Sequence, residues 1–215
     1  MLFLLHNRRY TPGIVICIAT YLEVQPVFTT KAGALVGRYC ESTAAETGNA
    51  GVDAMQEIPR HNRMVIIESW KDEAAFREHE TSTTTAAFRS ALKTIQLCPY
   101  DQRVHQDFSV STAAGTPDDR SLCVVTHVDV PPPRREETEI LLRNLVEPSR
   151  RDEGNLRYDI FQQLAPRTNH FTVVAAWSDA AAFASHETKP HTLQFREALG
   201  PMLGAPYDDR LYKFI

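Results

Sequence analysis

The chain lacks any long apolar run: its longest stretches reach only about ten residues, roughly half of what a membrane-spanning helix needs. Nothing in it reads as a bilayer segment. It also lacks the order of a secretory leader, because Leu2-Phe3-Leu4-Leu5 precedes Arg8 and Arg9, whereas a signal peptide puts positive charge first. The expectation is a cytoplasmic protein with an irregular extension over residues 1–12. Paired cysteines are missing too: Cys17, Cys40, Cys98 and Cys123 form no Cys-x-x-Cys, so the spacing supports neither a zinc site nor a redox motif. Basic charge is short, with 23 Lys and Arg against 27 Asp and Glu and a net charge of -4, which leaves no field for a phosphate backbone and sets nucleic acid aside as a partner. What is present is ordinary globular composition, 43% hydrophobic and 23% charged over 215 residues, enough apolar side chain to bury a core.

The chain is an internal duplication. Shifted by 107 residues, Pro59–Phe108 aligns without a gap on Pro166–Ile215, with 20 of 50 positions identical. Chance would give roughly 3, and self-similarity at this period is the mark of a repeated structural unit. The strongest block sets Trp70, Asp72, Phe76, His79, Glu80 and Thr81 against Trp177, Asp179, Phe183, His186, Glu187 and Thr188. Upstream the offset slips to 106, pairing Glu41, Gly48 and Asn49 with Glu147, Gly154 and Asn155. No cysteine has a cysteine at its repeat-related position, so no thiol belongs to the shared framework. Residues 109–120, rich in Ser, Thr, Ala, Gly, Pro and Asp, read as a linker between domains at 13–108 and 121–215.

Each copy carries the same order of elements. β-rich apolar runs at Ile14–Glu23 and Leu122–Val130 are each closed by proline. Helix formers at helical spacing follow over Phe28–Glu46 and Arg134–Asp152, with Gly48 and Gly154 at the stopping position. Strands are expected over Val52–Ile58 and Leu156–Leu164, then Met64–Trp70 and Phe171–Trp177, joined by polar turns. Asp72 and Asp179 cap a second helical region that runs to about Gln96 and Met202, and a last strand covers Arg103–Phe108 and Arg210–Ile215. This is the βαββαβ order of the ferredoxin-like unit, twice. Two helices cover only one face of such a sheet, yet Met64-Val-Ile-Ile and Phe171-Thr-Val-Val-Ala-Ala are the nearly continuous apolar runs of strands buried on both sides. The expected fold class is therefore α+β, two tandem ferredoxin-like units packing sheet to sheet as an intrachain pseudo-dimeric α/β barrel, with any substrate in the sheet-to-sheet interior. The chain would be a monomer with this internal pseudo-dimer, or a homodimer.

The pattern Trp177, Phe183, His186, His191 and Phe195, preceded by Glu147-Pro-Ser-Arg-Arg-Asp-Glu-Gly154-Asn-Leu-Arg-Tyr158-Asp159, resembles the antibiotic biosynthesis monooxygenase family, the dimeric α/β-barrel group that includes quinol monooxygenases. The first copy keeps Glu68-Ser69-Trp70 and His79, like the family's Glu-x-Trp and helix His, but has Thr84 where His191 stands; the second has Ala175 where Glu68 stands. The resemblance implies oxidation of an electron-rich aromatic, such as a quinol, anthrone or polyphenol, by O2 with no metal or flavin. A phenolate can itself supply electrons to oxygen, so the protein has only to remove a proton, hold the anion and exclude water. On that reading His186 and His79 are the candidate bases. Trp177, Phe195 and Trp70 are apolar or stacking walls, and Tyr158, His191 and Glu68 are polar binding groups; His127 on the first strand of the second copy is a further candidate.

Other readings of the same residues exist. Phe76, Phe88, Phe183 and Phe195 fit a plain core, Arg89 and Arg196 fit pairing with carboxylates, Asp101 and Asp208 fit turns, and His191 fits an exposed helix position. A zinc motif of the His-Glu-x-x-His kind is not formed, because His191 follows His186 by five residues, about 140° round one helix instead of about 40°. No metal ligand is therefore expected. Haem-degrading relatives that resemble this fold use a first-strand Asn with a Trp and a helix His; Trp70 with His79 and Trp177 with His186 fit the last two parts, while Thr20, Thr126 and His127 occupy the first-strand region, and haem binding or degradation stands as a second alternative. The first alternative is a barrel that binds a hydrophobic ligand without chemistry or serves as a scaffold.

Overall fold

The computed structural model describes residues 16–111 and 114–215. The extension expected over residues 1–12, the start of the first strand at Ile14 and two positions of the expected linker lie outside the described residues. The chain divides into two compact units. One runs up to His105 and includes Lys213–Ile215, and the other is Gln106–Tyr212.

The first unit contains β1 (Ile16–Glu23), α1 (Thr29–Ala44), β2 (Asn49–Glu57), β3 (Arg63–Trp70), α2 (Glu73–Glu80), α3 (Thr83–Lys93) and the first part of β4 (Asp101–Ser109). The second repeats the series with β5 (Leu122–Asp129), α4 (Arg135–Arg150), β6 (Asn155–Gln163), β7 (His170–Trp177), α5 (Ala180–Glu187), α6 (Pro190–Leu199) and most of β8 (Asp208–Phe214). Strand order is β4-β1-β3-β2 in one and β8-β5-β7-β6 in the other. The α+β class with two tandem ferredoxin-like units is thus what the chain adopts.

The expected second helical region is two helices in each unit. In the first, Thr81 ends one helix and Ser82 starts the next by accepting from the Thr85 N–H at 3.0 Å. In the second, Pro190 stands at the start of α6, where a residue with no N–H and a fixed φ begins a helix without loss. Asp72 and Asp179 cap α2 and α5 as expected, each accepting a backbone N–H at 2.8 Å. Gly48 and Gly154 close the turns after α1 and α4 with φ of 89° and 80°, in the left-handed region that glycine enters without strain.

Side-chain alternation assigns the sheet faces. Ile18, Leu22, Met64, Ile66 and Trp70 pack under the helices of the first unit, and Val124, Val128, Phe171, Val173 and Trp177 under those of the second. The residues between them on β3 and β7 are buried as well, so both central strands are covered on both faces, as their apolar runs predict. Asp101 and Asp208 open β4 and β8 and pair with Arg103 and Arg210.

Candidate active site

In the second unit the convergence point lies between sheet and helices. β7 ends at Trp177, whose ring is fully buried. The Asp179 cap then starts α5 at a fixed angle, and two turns later His186 falls back over the indole, with ring centroids 4.6 Å apart and planes at 32°. Phe183 lies 6.4 Å from the same indole, and Tyr158, reaching up from β6 opposite Ala175, lies 5.7 Å from the His186 ring. Phe195 of α6 completes the apolar cluster.

His186 is oriented by Asp152, which sits just past α4: the imidazole Nδ1 is 2.8 Å from Asp152 Oδ2. Donation from Nδ1 to the carboxylate fixes the tautomer and leaves the lone pair on Nε2. Thr192 Oγ1 is 3.4 Å from both ring nitrogens, so it does not single out either. Burial holds the His186 pKa below the ordinary histidine range; Asp152 opposes that shift, and His191 and Arg196 add to it. The imidazole is therefore neutral at neutral pH, the form a general base requires. His191 Nε2 approaches the same Asp152 oxygen at 3.0 Å.

The first unit reproduces the frame. Trp70 and His79 are 4.5 Å apart at 35°, Trp70 and Phe76 are 6.5 Å apart, and Tyr39 and His79 are 5.8 Å apart at 59°. Glu46, at the place of Asp152, takes His79 Nδ1 at 2.9 Å. The other side of the ring differs. Tyr39 donates its hydroxyl to Glu68 Oε1 at 3.0 Å and lies 2.8 Å from His79 Nε2, and Trp70 Nε1 donates to Glu68 Oε2 at 3.0 Å. Both nitrogens of His79 are engaged, and burial pushes the Glu68 carboxyl above its ordinary range against the pull of His79.

The sequence profile described as "Antibiotic biosynthesis monooxygenase" matches residues 15–91 and again 121–198. The chain belongs to the antibiotic biosynthesis monooxygenase (ABM) family. Among curated relatives, the Bacillus subtilis protein named "Putative monooxygenase YcnE" is 34% identical over 82 residues, 38% of this chain and 85% of that one. A Fusobacterium nucleatum structure titled as a putative monooxygenase superposes with a TM-score of 0.85 at 17% identity, covering 95% of this chain and 94% of its own. An "anthrone oxidase-like protein" does so with a TM-score of 0.69 at 11% identity, over 94% and 92%. These two structures show the fold over nearly the whole described chain.

Against this ABM frame the sequence candidates separate. His186, Trp177, Tyr158, His191 and Phe195 come together in one unit, and His79, Trp70 and Glu68 in the other. His127 does not join them. It alternates with Thr126 and Val128 on β5, so it lies on the sheet face away from the helices, beside Thr172. Every candidate that converges does so under the helices of its own unit, not in the sheet-to-sheet interior where a substrate is expected. His191 is half-buried and tied to Asp152, not solvent-facing, because the α5–α6 break returns it toward His186. The angle about one continuous helix therefore does not apply. Asp152, His186 and His191 are the one set among the described residues whose ligand atoms converge, within 4.8 Å, as a borderline divalent ion would need. The 2.8 and 3.0 Å separations are equally those of hydrogen bonds from two imidazoles to one carboxylate oxygen.

Sequence reasoning passed over Asp152, Glu46 and Tyr39. The first two had a signal, an acid two residues before each repeated glycine. Tyr39 had none, since its repeat partner is Leu145 and the second phenol comes instead from Tyr158 on the neighbouring strand.

Proposed function

We propose that the chain is a cofactor-independent monooxygenase that oxidises an electron-rich aromatic, a quinol, anthrone or polyphenol, with O2, and that His186 of the second unit is its base. The observation that supports this reading is a neutral imidazole, oriented through Nδ1 by Asp152 and packed on Trp177, with Nε2 in aromatic surroundings and only a long 3.4 Å contact from it to the Thr192 hydroxyl among the described residues. Deprotonation at Nε2 gives a phenolate or enolate able to pass electrons to O2. The low-polarity walls of Trp177, Tyr158, Phe183 and Phe195 keep water from the anion. For an anthrone-type substrate the balance closes without another reductant: a CH2 becomes C=O, one oxygen atom enters the product and the other leaves as water with both hydrogens. Haem chemistry has less support, because Thr126 stands in the first-strand region and gives its hydroxyl to Asp209, while His79 has both nitrogens engaged.

The test is oxygen uptake by chelator-treated protein with a panel of anthrones, quinols and catechols. Consumption with no added metal or flavin is expected. A flat trace from folded protein across the panel, or consumption restored only by metal, overturns the reading.

A further inference from the structure

The two units share one aromatic frame, and the polar group of the first that the second lacks is the Glu68 carboxyl. In the first unit this group is the acceptor at the centre: Oε2 takes the Trp70 indole N–H at 3.0 Å and lies 3.5 Å from His79 Nε2. In the second unit Ala175 holds the same register, opposite Val124 and Tyr158 as Glu68 is opposite Ile18 and Val52. A methyl group cannot accept. Trp177 Nε1 is accordingly a fully buried donor with no hydrogen-bond partner among the described residues, an arrangement that is costly unless something supplies the acceptor.

Tyr158 does not supply it. Its ring takes the same place relative to His186 that the Tyr39 ring takes relative to His79, but it enters from the strand and not the helix, and it leaves Trp177 Nε1 without a partner among the described residues.

We infer that the second unit receives its substrate by a phenolate or enolate oxygen placed where Glu68 places a carboxyl oxygen in the first, accepting from Trp177 Nε1 and from the proton that His186 Nε2 has taken from it, and that Glu68 closes the first unit to the same ligand. The Glu68 group is an internal stand-in for the bound oxygen, so one site per chain turns over. The identity of the ligand as a phenol rests on the oxygenase reading; the position of its oxygen rests on the Trp70 and Trp177 geometry.

The experiment titrates the full chain with 4-nitrophenol under argon, where absorption separates phenol from phenolate. One equivalent per chain bound as phenolate is expected. Trp177→Phe, which removes the donor and keeps the ring stack, should weaken binding by about tenfold, the effect of losing one hydrogen bond to a charged group. Ala175→Glu, which brings in the stand-in, should abolish it, and Glu68→Ala should add a second equivalent. Two equivalents on the unaltered chain, no binding, or one equivalent indifferent to Trp177→Phe and with no gain in Glu68→Ala overturns the inference. Trp177→Phe and Glu68→Ala decide the matter if Ala175→Glu loses its near-ultraviolet dichroism. This pattern with a flat oxygen trace would remove the oxygenase reading and leave the site; oxygen uptake without the pattern would do the reverse.

Discussion

In the first unit His79 is enclosed by its own chain, with Glu46 on one nitrogen, Tyr39 on the other and Glu68 bridging Tyr39 to Trp70. In the second His186 keeps the same carboxylate and the same indole but loses the bridge, and His191 joins the carboxylate from the start of α6. Duplication makes the difference readable. Two copies of one frame, alike to within about a tenth of an ångström in their ring distances, show which polar group one copy has built in and the other leaves to a ligand.

The comparison breaks first at the carboxylate that orients His186. Asp152→Asn removes the charged acceptor, and we expect oxygen uptake to fall about tenfold, the rate equivalent of one charge-assisted hydrogen bond. The acid limb of the pH profile should also move to lower pH, because Asp152 is what holds the His186 pKa up against burial. A purely structural role would cut the rate and leave the limb in place. His191→Ala should move the limb the other way, since His191 pushes the His186 pKa down.

Stability against pH should also separate the units. The folded-state pKa of His186 is lowered, so its contribution is present above the ordinary imidazole value of about 6.5 and is lost as pH falls through the folded value. That of Glu68 is raised, so its contribution is present in acid and is lost as pH rises through the folded value. Glu68→Gln should therefore flatten the part of a melting-temperature profile that falls as pH rises above the ordinary carboxylate value of about 4.3, and a profile unchanged by it would contradict the burial assigned to Glu68.

Where the units are alike, the effects should be alike. A Cβ on Gly48 or Gly154 would meet Ala75 or Ala182 at 2.6 or 2.5 Å with φ positive, so Gly48→Ala and Gly154→Ala should each cost about 1–3 kcal/mol in urea unfolding. The caps are weaker: Asp72→Ala and Asp179→Ala should each cost about 1 kcal/mol. A large imbalance within either pair would mean that the units are not equivalent supports.

Much of this frame is legible in the chain itself, because strand and helix periodicity, the Asp caps and the glycine stops each appear twice and confirm one another. Trp177 and His186 could be named from the repeat for the same reason. What could not be read is where the two copies reach one end by different means. The phenol comes from α1 as Tyr39 and from β6 as Tyr158, a substitution paired with Leu145 and Val52 that identity counts do not register. The place of His191 depended on a helix break at Pro190 rather than on spacing along one helix, and the face of His127 on a one-residue alternation that apolar content alone does not fix.

The most direct measurement is anthrone-dependent oxygen uptake by chelator-treated His186→Ala protein beside the unaltered chain. The account predicts a loss of about a hundredfold, the lower range for removing a general base, with the fold intact by circular dichroism. A folded His186→Ala protein that consumes oxygen at the unaltered rate would contradict it.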